Sequence, residues 1–252
     1  MCGIVGHAGP PTPSDRSLTV LMDGLSRLEY RGYDSAGVAL VGQGLDIVKT
    51  AGKLDHLREA LAADPPAPAV CGIGHTRWAT HGGPTDANAH PHLSADGRVA
   101  LVHNGIIENF ASLRAELVGE GVVFRSETDT EVAAALLGRE LASAGDLASA
   151  MRRVCSRLEG AFTLVAIDAQ DPTRVVAARR NSPLVVGVGR GENFLASDVA
   201  AFIEHTRDAI ELGQDQVVVI TADTIEVTDF EGGPVEVNPY HIDWDTTAAE
   251  KS

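Results

Sequence analysis

The order of the apolar segments along the chain limits the architectures that it can form. Short strand-like segments near the N-terminus give way to helical segments between residues 110 and 158, and from Ala161 onward short apolar segments again alternate with turn residues. Strands on both sides of a helical region favour two sheets with helices packed against them. We therefore expect a layered α+β arrangement.

Hydrophobic spacing predicts the individual elements. Helical spacing occurs in residues 18–28, 54–61, 110–117, 128–141 and 146–158. Strand-like segments are residues 2–8, 36–41, 45–49, 70–74, 98–103, 162–167, 175–178, 184–188, 194–196 and 217–220. Ser14 or Asp15 fits as the cap of the first helix and Asp146 as the cap of the last, while Thr128 and Glu131 have capping-box spacing.

Two irregular regions stand between these elements. Residues 80–97 are rich in Gly, Pro, Asn and His and have no periodicity, and a loop of this length inside a compact domain is usually functional. Gly187, Gly189 and Gly191 could suggest a dinucleotide-binding loop. They follow a strand without opening a helix, however, so they favour a hairpin turn.

The composition excludes several classes of protein. Apolar residues make up 44% of the chain, which is typical of a globular protein. No apolar run reaches the roughly 20 residues that span a bilayer, and the first residues lack the basic and apolar segments of a secretion signal, so we expect a cytoplasmic protein without a membrane partner. The net charge of -15 repels phosphate backbones, so nucleic acid is not an expected partner.

Three cysteines are present, and they differ in their surroundings. Their odd number and their spacing fit neither a disulfide framework nor a zinc site. Cys71 lies in an apolar strand-like segment and Cys155 in a helical pattern, so both are expected to be inert core thiols. Cys2 is different, because removal of Met1 would make it the N-terminal residue.

An N-terminal cysteine can carry its own base. A thiol has an ordinary pKa of about 8.5 and needs a base to act as a nucleophile at neutral pH. Removal of Met1 would give Cys2 a free α-amine with a pKa of about 7.7–8.0, so roughly a tenth of these amines would be neutral at pH 7. Such an amine can activate a neighbouring nucleophile, which makes Cys2 the candidate nucleophile.

Four polar segments place this cysteine in a family. They are residues 28–37 (LEYRGYDSAG), 75–82 (HTRWATHG), 103–109 (HNGIIEN) and 126–131 (SETDTE). With Cys2, and in this order, they resemble the N-terminal-nucleophile glutaminase domain of glutamine amidotransferases over nearly the whole chain. Residues 30–35 and 75–78 resemble the hexosamine-forming branch. The resemblance implies a four-layer αββα sandwich of two antiparallel sheets between helices.

The resemblance also implies a reaction. Cys2 would attack the side-chain amide of L-glutamine, and its α-amine would accept the thiol proton and later protonate the departing ammonia. Asn104, through its side-chain amide, and Gly105, through its backbone N–H, would stabilise the oxyanion. Water would then hydrolyse the γ-glutamyl thioester to L-glutamate. Arg31 lies in the loop that would support the nucleophile.

The same resemblance assigns the groups that hold the substrate. Arg77 can bind the α-carboxylate of glutamine through two parallel hydrogen bonds. Asp129 can pair with the α-ammonium. Trp78, Thr80 and His81 belong to a segment that would fold over the bound glutamine.

Each of these residues also has a simpler interpretation. Arg77 could form a surface ion pair, Asp129 could only cap a helix, and Trp78 could be a packing aromatic. Asn104 and Gly105 could form a hairpin turn, for which Asn-Gly is a strong signal. The joint occurrence after Met1-Cys2 favours the functional interpretation.

A cluster of histidines could suggest a metal site. Five of the nine histidines fall within one stretch: His75, His81, His90, His92 and His103. No cysteine accompanies them and no HExxH helix is present, and Pro91 is expected to splay the rings of His90 and His92. We expect neither a metal nor another cofactor.

The resemblance further implies domain boundaries and partners. Residues 1–242 are expected to form the glutaminase domain, and residues 243–252 the poorly ordered start of a linker to a C-terminal sugar-phosphate isomerase region of a longer chain. That longer chain is expected to form a homodimer and to use the ammonia for the synthesis of glucosamine 6-phosphate from fructose 6-phosphate.

Three other interpretations remain open at this point. The chain could be a glutaminase of the same fold that serves phosphoribosylamine or asparagine formation. It could be a catalytically silent domain that senses glutamine, although every expected catalytic position is filled. It could also be a thiol hydrolase in which His81 is the base.

Overall fold

The computed structural model describes residues 2–79 and 82–243. In this part of the chain the strands are β1 (Gly3–Ala8), β2 (Ser35–Val41), β3 (Leu45–Ala51), β4 (Cys71–Arg77), β5 (His92–Leu93), β6 (Val99–Ile107), β7 (Gly160–Asp168), β8 (Asp171–Arg180), β9 (Val185–Val188), β10 (Asn193–Ala196), β11 (Asp208–Glu211), β12 (Gln216–Ile220), β13 (Ile225–Asp229) and β14 (Tyr240–His241). The helices are α1 (Arg16–Leu28), α2 (Leu54–Ala63), α3 (Phe110–Gly119), α4 (Asp129–Ala144) and α5 (Leu147–Arg157), with short 3₁₀ helices at Glu29–Arg31 and Val199–Ala201.

These strands form two antiparallel sheets. The first has the order β14-β11-β9-β10-β1-β4-β2-β3 and the second has the order β13-β12-β8-β7-β6-β5. β1 and β4 are neighbours in the interior of the first sheet, with Gly3 opposite Thr76. β6 pairs with β7 in the second sheet, where Asn104 lies opposite Thr163.

The apolar side chains divide the molecule into four layers. One core lies between the sheets, where Ile4 and Ile73 of the first sheet pack with Val102 and Val165 of the second. A second core joins the outer face of the first sheet to α1 and α2, and a third joins the second sheet to α3, α4 and α5. The chain is therefore an α+β, four-layer αββα sandwich, as predicted.

Local sequence signals set the helices near the site. Thr128 caps α4, because its hydroxyl accepts a hydrogen bond from the backbone N–H of Glu131. The predicted capping box is only half formed: the Glu131 carboxylate accepts hydrogen bonds from the N–H groups of Arg125 and Ser126 instead of that of Thr128. Asp146 caps α5 through Ser149, as predicted.

At the first helix the predicted cap is weaker than expected. Asp15 occupies the N-cap position of α1 but makes no capping hydrogen bond through its side chain. The Ser14 hydroxyl accepts from the backbone N–H of Arg16 at 3.3 Å. The helix is held instead by its apolar face, on which Leu21, Leu25 and Leu28 are fully buried, each contributing about 1.5–3 kcal/mol.

Several strands differ from the prediction in extent or were not predicted at all. Asn104 and Gly105 lie inside β6 rather than in a hairpin turn. β5, β11, β13 and β14 were not predicted, because they are short and mix polar with apolar residues. β5 lies within residues 80–97, which the sequence analysis treated as a loop. The turn between β9 and β10, which contains Gly189 and Gly191, is a hairpin as predicted.

The predicted C-terminal tail lies almost entirely outside the described residues. Of the predicted tail, only Asp243 falls within the described residues, so the order of residues 244–252 stays a prediction. Within the described residues, none of the helices has the length and apolar character needed to cross a membrane.

Candidate active site

The predicted site residues gather around one cleft of about 430 Å³. Seven of the nine line it: Cys2, Arg31, Arg77, Trp78, Asn104, Gly105 and Asp129. The other two, Thr80 and His81, lie outside the described residues. Their placement over the substrate therefore stays a prediction.

Strand pairing brings these residues together from distant parts of the sequence. Cys2 immediately precedes β1, and Arg77 is the last residue of β4, so the β1–β4 register places them at the same end of the first sheet. Asn104 comes from β6 of the second sheet. Its side-chain amide donates a hydrogen bond to the carbonyl of Cys2 at 3.0 Å, which joins the two sheets at the cleft.

The Cys2 thiol lies against backbone, not against a base. Its sulfur accepts a hydrogen bond from the Trp78 N–H at 3.2 Å and contacts the Trp78 carbonyl at 3.5 Å. Burial raises the pKa of the thiol above its ordinary value, while the bond from Trp78 acts in the opposite direction. To act as a nucleophile, this thiol would need a base, and its two hydrogen bonds among the described residues go to the backbone of Trp78.

Gly32 allows the loop after α1 to pack closely against the backbone of Arg77 and Trp78. A Cβ on Gly32 would lie 2.8 Å from the carbonyl carbon of Arg77 and 3.0 Å from the Trp78 nitrogen. Only glycine lets this loop approach the peptide that holds the Cys2 sulfur. This close approach explains one residue of the 28–37 segment that the sequence analysis left without a role.

Asn104 and Gly105 both line the cleft, and their surroundings fix both residues. Gly105 has a φ of +115°, and a Cβ there would lie 2.0 Å from the carbonyl oxygen of Ala161, so no other residue fits. The Asn104 amide has its oxygen 3.0 Å from the Nε2 of His75 and its nitrogen toward Cys2. Its side-chain nitrogen therefore lies toward the backbone of Cys2.

Two buried groups of opposite charge face the same cleft. Arg77 is 3% exposed and donates to the carbonyls of Gly82 and Gly83. Burial lowers the pKa of its guanidinium, whereas the nearby Cys2 and Asp129 raise it. Asp129, at the first turn of α4, accepts from the N–H of Ile107 at 2.9 Å, and the helix N-terminus favours its negative charge.

Arg31 and Trp78 form the rim. The guanidinium of Arg31 pairs with Asp198, which joins the segment after α1 to the start of the 3₁₀ helix at Val199–Ala201. The Trp78 side chain is 46% exposed and meets Tyr33 edge-on at 5.4 Å. That exposure does not fit a simple packing aromatic.

Asp34 is a site-forming residue that the sequence analysis did not single out. Its carboxylate accepts from the N–H of Ala79 at 2.9 Å, and its own N–H donates to the carbonyl of Arg77 at 3.0 Å. It therefore holds both ends of the peptide pair that contacts the Cys2 sulfur. Its position inside the YRGYDSAG segment was the available signal.

Four of the five clustered histidines, His75, His90, His92 and His103, are buried at the cleft, whose lining includes His90 and His103. The expectation that the rings of His90 and His92 splay apart was wrong. The rings of His90 and His92 lie 5.1 Å apart edge-to-face instead of splaying, because both are packed into the interior. The Lys49 ammonium holds this segment through the carbonyls of Ala89 and Pro91. Burial holds the pKa of both imidazoles well below the usual range, and no metal-binding group of three or more His, Cys, Asp or Glu occurs in the described part of the chain.

The fold and the cleft define an amidotransferase of the N-terminal-nucleophile class. Residues 75–204 match the model of the glutamine amidotransferase domain, and the chain belongs to this family. The family predicted from the four polar segments is thereby confirmed.

Full-length relatives refine the comparison. The chain is 66% identical over 252 residues to the glutamine–fructose-6-phosphate aminotransferase (isomerizing) of Streptomyces coelicolor, and 62% identical over 253 residues to that of Leifsonia xyli subsp. xyli. Each match covers 100% of this chain but 40% of the relative. The chain thus spans about 40% of the length of these curated relatives.

Solved structures confirm the fold. The glutamine phosphoribosylpyrophosphate amidotransferase of B. subtilis, complexed with ADP and GMP, matches with a TM-score of 0.74 and 25% identity, over 91% of this chain and 49% of that one. A structure described as the allosteric regulatory enzyme of purine biosynthesis matches with a TM-score of 0.76 and 26% identity, over the same shares. The predicted N-terminal-nucleophile hydrolase fold is therefore correct.

Proposed function

We propose that this chain hydrolyses L-glutamine to L-glutamate and ammonia through a thioester on Cys2. The observation that carries the proposal is the cleft itself. It holds the Cys2 thiol, Asn104 and Gly105, which we propose as oxyanion donors, and the opposed charges of Arg77 and Asp129. A free amino acid with an amide side chain is complementary to that set. The direct test is to incubate the purified chain with L-glutamine and to measure ammonia and glutamate, with D-glutamine as the control substrate.

The first half of the reaction forms the thioester. The Cys2 sulfur attacks the amide carbon of glutamine while the α-amine of Cys2 accepts the thiol proton. The carbonyl oxygen becomes an oxyanion and receives hydrogen bonds from the Asn104 side chain and the Gly105 N–H. As the C–N bond breaks, the protonated amine transfers a proton to the leaving nitrogen, which departs as ammonia.

The second half uses water. The α-amine removes a proton from water as its oxygen attacks the γ-glutamyl thioester, and the same donors stabilise the second oxyanion. The C–S bond then breaks, the thiol regains its proton, and L-glutamate leaves. No cofactor is required, because the nucleophile, base and donors all belong to the chain.

Substrate recognition rests on charges that stay constant through the reaction. The Arg77 guanidinium is proposed to bind the α-carboxylate by exchanging its bonds to Gly82 and Gly83 for two bonds to the substrate. Asp129 is proposed to pair with the α-ammonium. Trp78, Thr80 and His81 are proposed to cover the bound substrate, and Arg31 to hold the loop beside it through Asp198.

We further propose that the ammonia serves glucosamine 6-phosphate synthesis from fructose 6-phosphate in a longer, dimeric, cytoplasmic protein. The name and the identity of the aminotransferase relatives support this, as does the fact that this chain corresponds to about 40% of their length. A C-terminal isomerase region would then be its partner in the same polypeptide. The phosphoribosylamine-forming alternative has weaker support, since the solved amidotransferases are 25–26% identical.

Two substitutions should separate chemistry from binding. Asn104→Ala is expected to lower kcat by about 10²–10³-fold, because it removes one donor to the oxyanion. Arg77→Ala is expected mainly to raise KM, because its charge interacts equally with substrate and transition state. Asp129→Ala should behave like Arg77→Ala. Steady-state glutaminase kinetics measure both quantities.

Surface residues of the same type provide the controls. Arg174→Ala and Asp55→Ala remove half-exposed or exposed charges from i,i+3 pairs and should leave both constants near the wild-type values. An unchanged kcat in Asn104→Ala would contradict the oxyanion assignment. Unchanged KM in Arg77→Ala and Asp129→Ala would contradict the proposed binding mode and would indicate that glutamine binds through other residues.

These 252 residues should produce ammonia but no amino sugar. With glutamine and fructose 6-phosphate both supplied, ammonia and glutamate are expected in equal amounts, since the described residues provide one cleft with amide-hydrolysing groups and the isomerase region is proposed to lie outside the chain. Assays for ammonia, glutamate and glucosamine 6-phosphate on the same sample check this. Catalytic formation of glucosamine 6-phosphate would refute the proposal that this chain supplies only ammonia.

A further inference from the structure

We propose that His75 is a positioning residue that fixes the direction of the Asn104 side-chain amide, so that its NH₂ group and not its oxygen faces the cleft. The inference deepens the proposed function and rests on the role of Asn104 in it. His75 itself does not line the cleft, and it acts through Asn104 alone.

The contact between His75 and Asn104 joins the two sheets at the cleft. His75 is a fully buried residue of β4 in the first sheet, two positions before Arg77. Its Nε2 lies 3.0 Å from the Asn104 side-chain oxygen and 3.0 Å from the backbone carbonyl of His103, both on β6 of the second sheet. One ring nitrogen thus meets two oxygens.

Those two oxygens determine which ring nitrogen carries the proton. The carbonyl of His103 can only accept, so the Nε2 of His75 must be the N–H. Because this N–H is a donor, the Asn104 atom nearest to it must be an acceptor. The oxygen of the Asn104 amide therefore faces His75, and the nitrogen of the same amide faces Cys2. The carbonyl of Cys2, which also can only accept, agrees with that direction.

A rotated amide would be unfavourable at both ends. The Asn104 oxygen would then face the Cys2 carbonyl, and its NH₂ would face the N–H of His75, so two hydrogen bonds would be replaced by two repulsive contacts. In the cleft, an oxygen in place of the NH₂ group would repel the developing oxyanion instead of stabilising it. His75 therefore protects the donor on which the proposed chemistry depends.

The surroundings keep His75 neutral. Burial lowers its pKa to about 3, partly opposed by the bond to Asn104, and His103 and Arg77 also disfavour a positive charge there. The ring of His90 packs against it at 4.2 Å. Its Nδ1 is buried without a hydrogen-bond partner among the described residues, so a second N–H at that atom would have no acceptor.

Two amides of different length test the role of the Nε2 proton. His75→Gln places a side-chain N–H near the position of Nε2, whereas His75→Asn carries the same group but is too short to reach Asn104. His75→Asn is expected to lower kcat by about 10-fold or more, up to the about 10²–10³-fold loss of the donor itself, with KM unchanged. His75→Gln should restore most of that loss.

A double-mutant cycle distinguishes positioning from general damage. In an Asn104→Ala background, His75→Asn should cause no further loss of kcat beyond about twofold, because there is no amide left to orient. Full additivity, or equal rates for His75→Asn and wild type, would overturn the inference. A glutamate-binding measurement on each variant shows whether the fold has survived, and wild-type-like binding is expected.

A spectroscopic measurement is independent of turnover. In ¹⁵N-labelled protein, His75 should be the Nε2–H tautomer at all pH values from about 5 to 9, as expected for a buried neutral imidazole. An Nδ1–H tautomer, or a titration near the ordinary pKa of about 6.5, would refute the inference even if the chain had no glutaminase activity. Absence of activity in the wild type with the Nε2–H tautomer present would refute only the proposed function.

Discussion

Replacement of Cys2 with alanine is expected to abolish glutamine hydrolysis while glutamine binding survives. Covalent catalysis has no substitute for the nucleophile, so kcat should fall by at least about 10⁴-fold. The groups proposed to hold glutamine, Arg77 and Asp129, have their own anchors in β4 and α4 and do not need the thiol. Ammonia release measures the first effect, and calorimetric titration with glutamine measures the second.

The other two cysteines are matched controls. Cys71 and Cys155 are fully buried in two different cores, and burial raises the pKa of both thiols. Cys71→Ala and Cys155→Ala should cost some stability, as for other buried large-to-small changes, and retain turnover. Persistence of turnover in Cys2→Ala would show that Cys2 is not the nucleophile. Loss of turnover in either folded control would show that the effect of removing a cysteine is not specific to Cys2.

The helical part of the molecule follows from local sequence. The cap of α4 at Thr128 and that of α5 at Asp146 were predictable because a cap acts over three residues. The apolar spacing of α1 likewise predicted its buried face. The strands β5, β11, β13 and β14 were missed because their pairing partners, and not their own composition, make them strands.

The site was predictable as a set of residues but not as an arrangement. Motif order named Cys2, Arg77, Asn104 and Asp129, and they do line one cleft. Their proximity depends on the register of β1 with β4 and on the contact between the two sheets, and such pairings between distant segments leave little local signal. The pairing of Arg31 with Asp198, 167 positions away along the chain, is of the same kind.

The role proposed for His75 could not be predicted from the sequence motifs. In the sequence it was one of five clustered histidines, and its neighbours suggested a metal before they suggested a hydrogen bond. The structure favours the hydrogen-bonding role over metal binding. The Nε2 of His75 lies within hydrogen-bond distance of two oxygens, while its Nδ1 has no partner among the described residues. A buried histidine with that pattern orients its neighbours, and it was the geometry of Asn104 that identified the residue concerned.

Retention of Met1 is expected to lower glutaminase activity strongly, although by less than loss of the Cys2 thiol. With Met1 present, the nitrogen of Cys2 is an amide and cannot accept the thiol proton. Burial makes that proton harder to remove, because it raises the pKa of the thiol, and the sulfur's hydrogen bonds within the described residues go to the backbone of Trp78. General-base assistance contributes about 10²–10⁴-fold, so kcat should fall by that amount.

A single preparation can supply the protein both with a blocked Cys2 amine and with a free one. An N-terminal extension that a site-specific protease removes directly before Cys2 allows the rate to be measured before and after cleavage, with intact mass confirming each terminus. Glutamate binding to the extended form separates loss of the base from physical obstruction of the cleft. The cleaved form should also gain activity as the pH rises through about 7.7–8.0, where an α-amine loses its proton, since only the neutral amine can accept one. Equal rates in the two forms would refute the amine as base, and a side-chain base such as His81 would then have to activate the thiol.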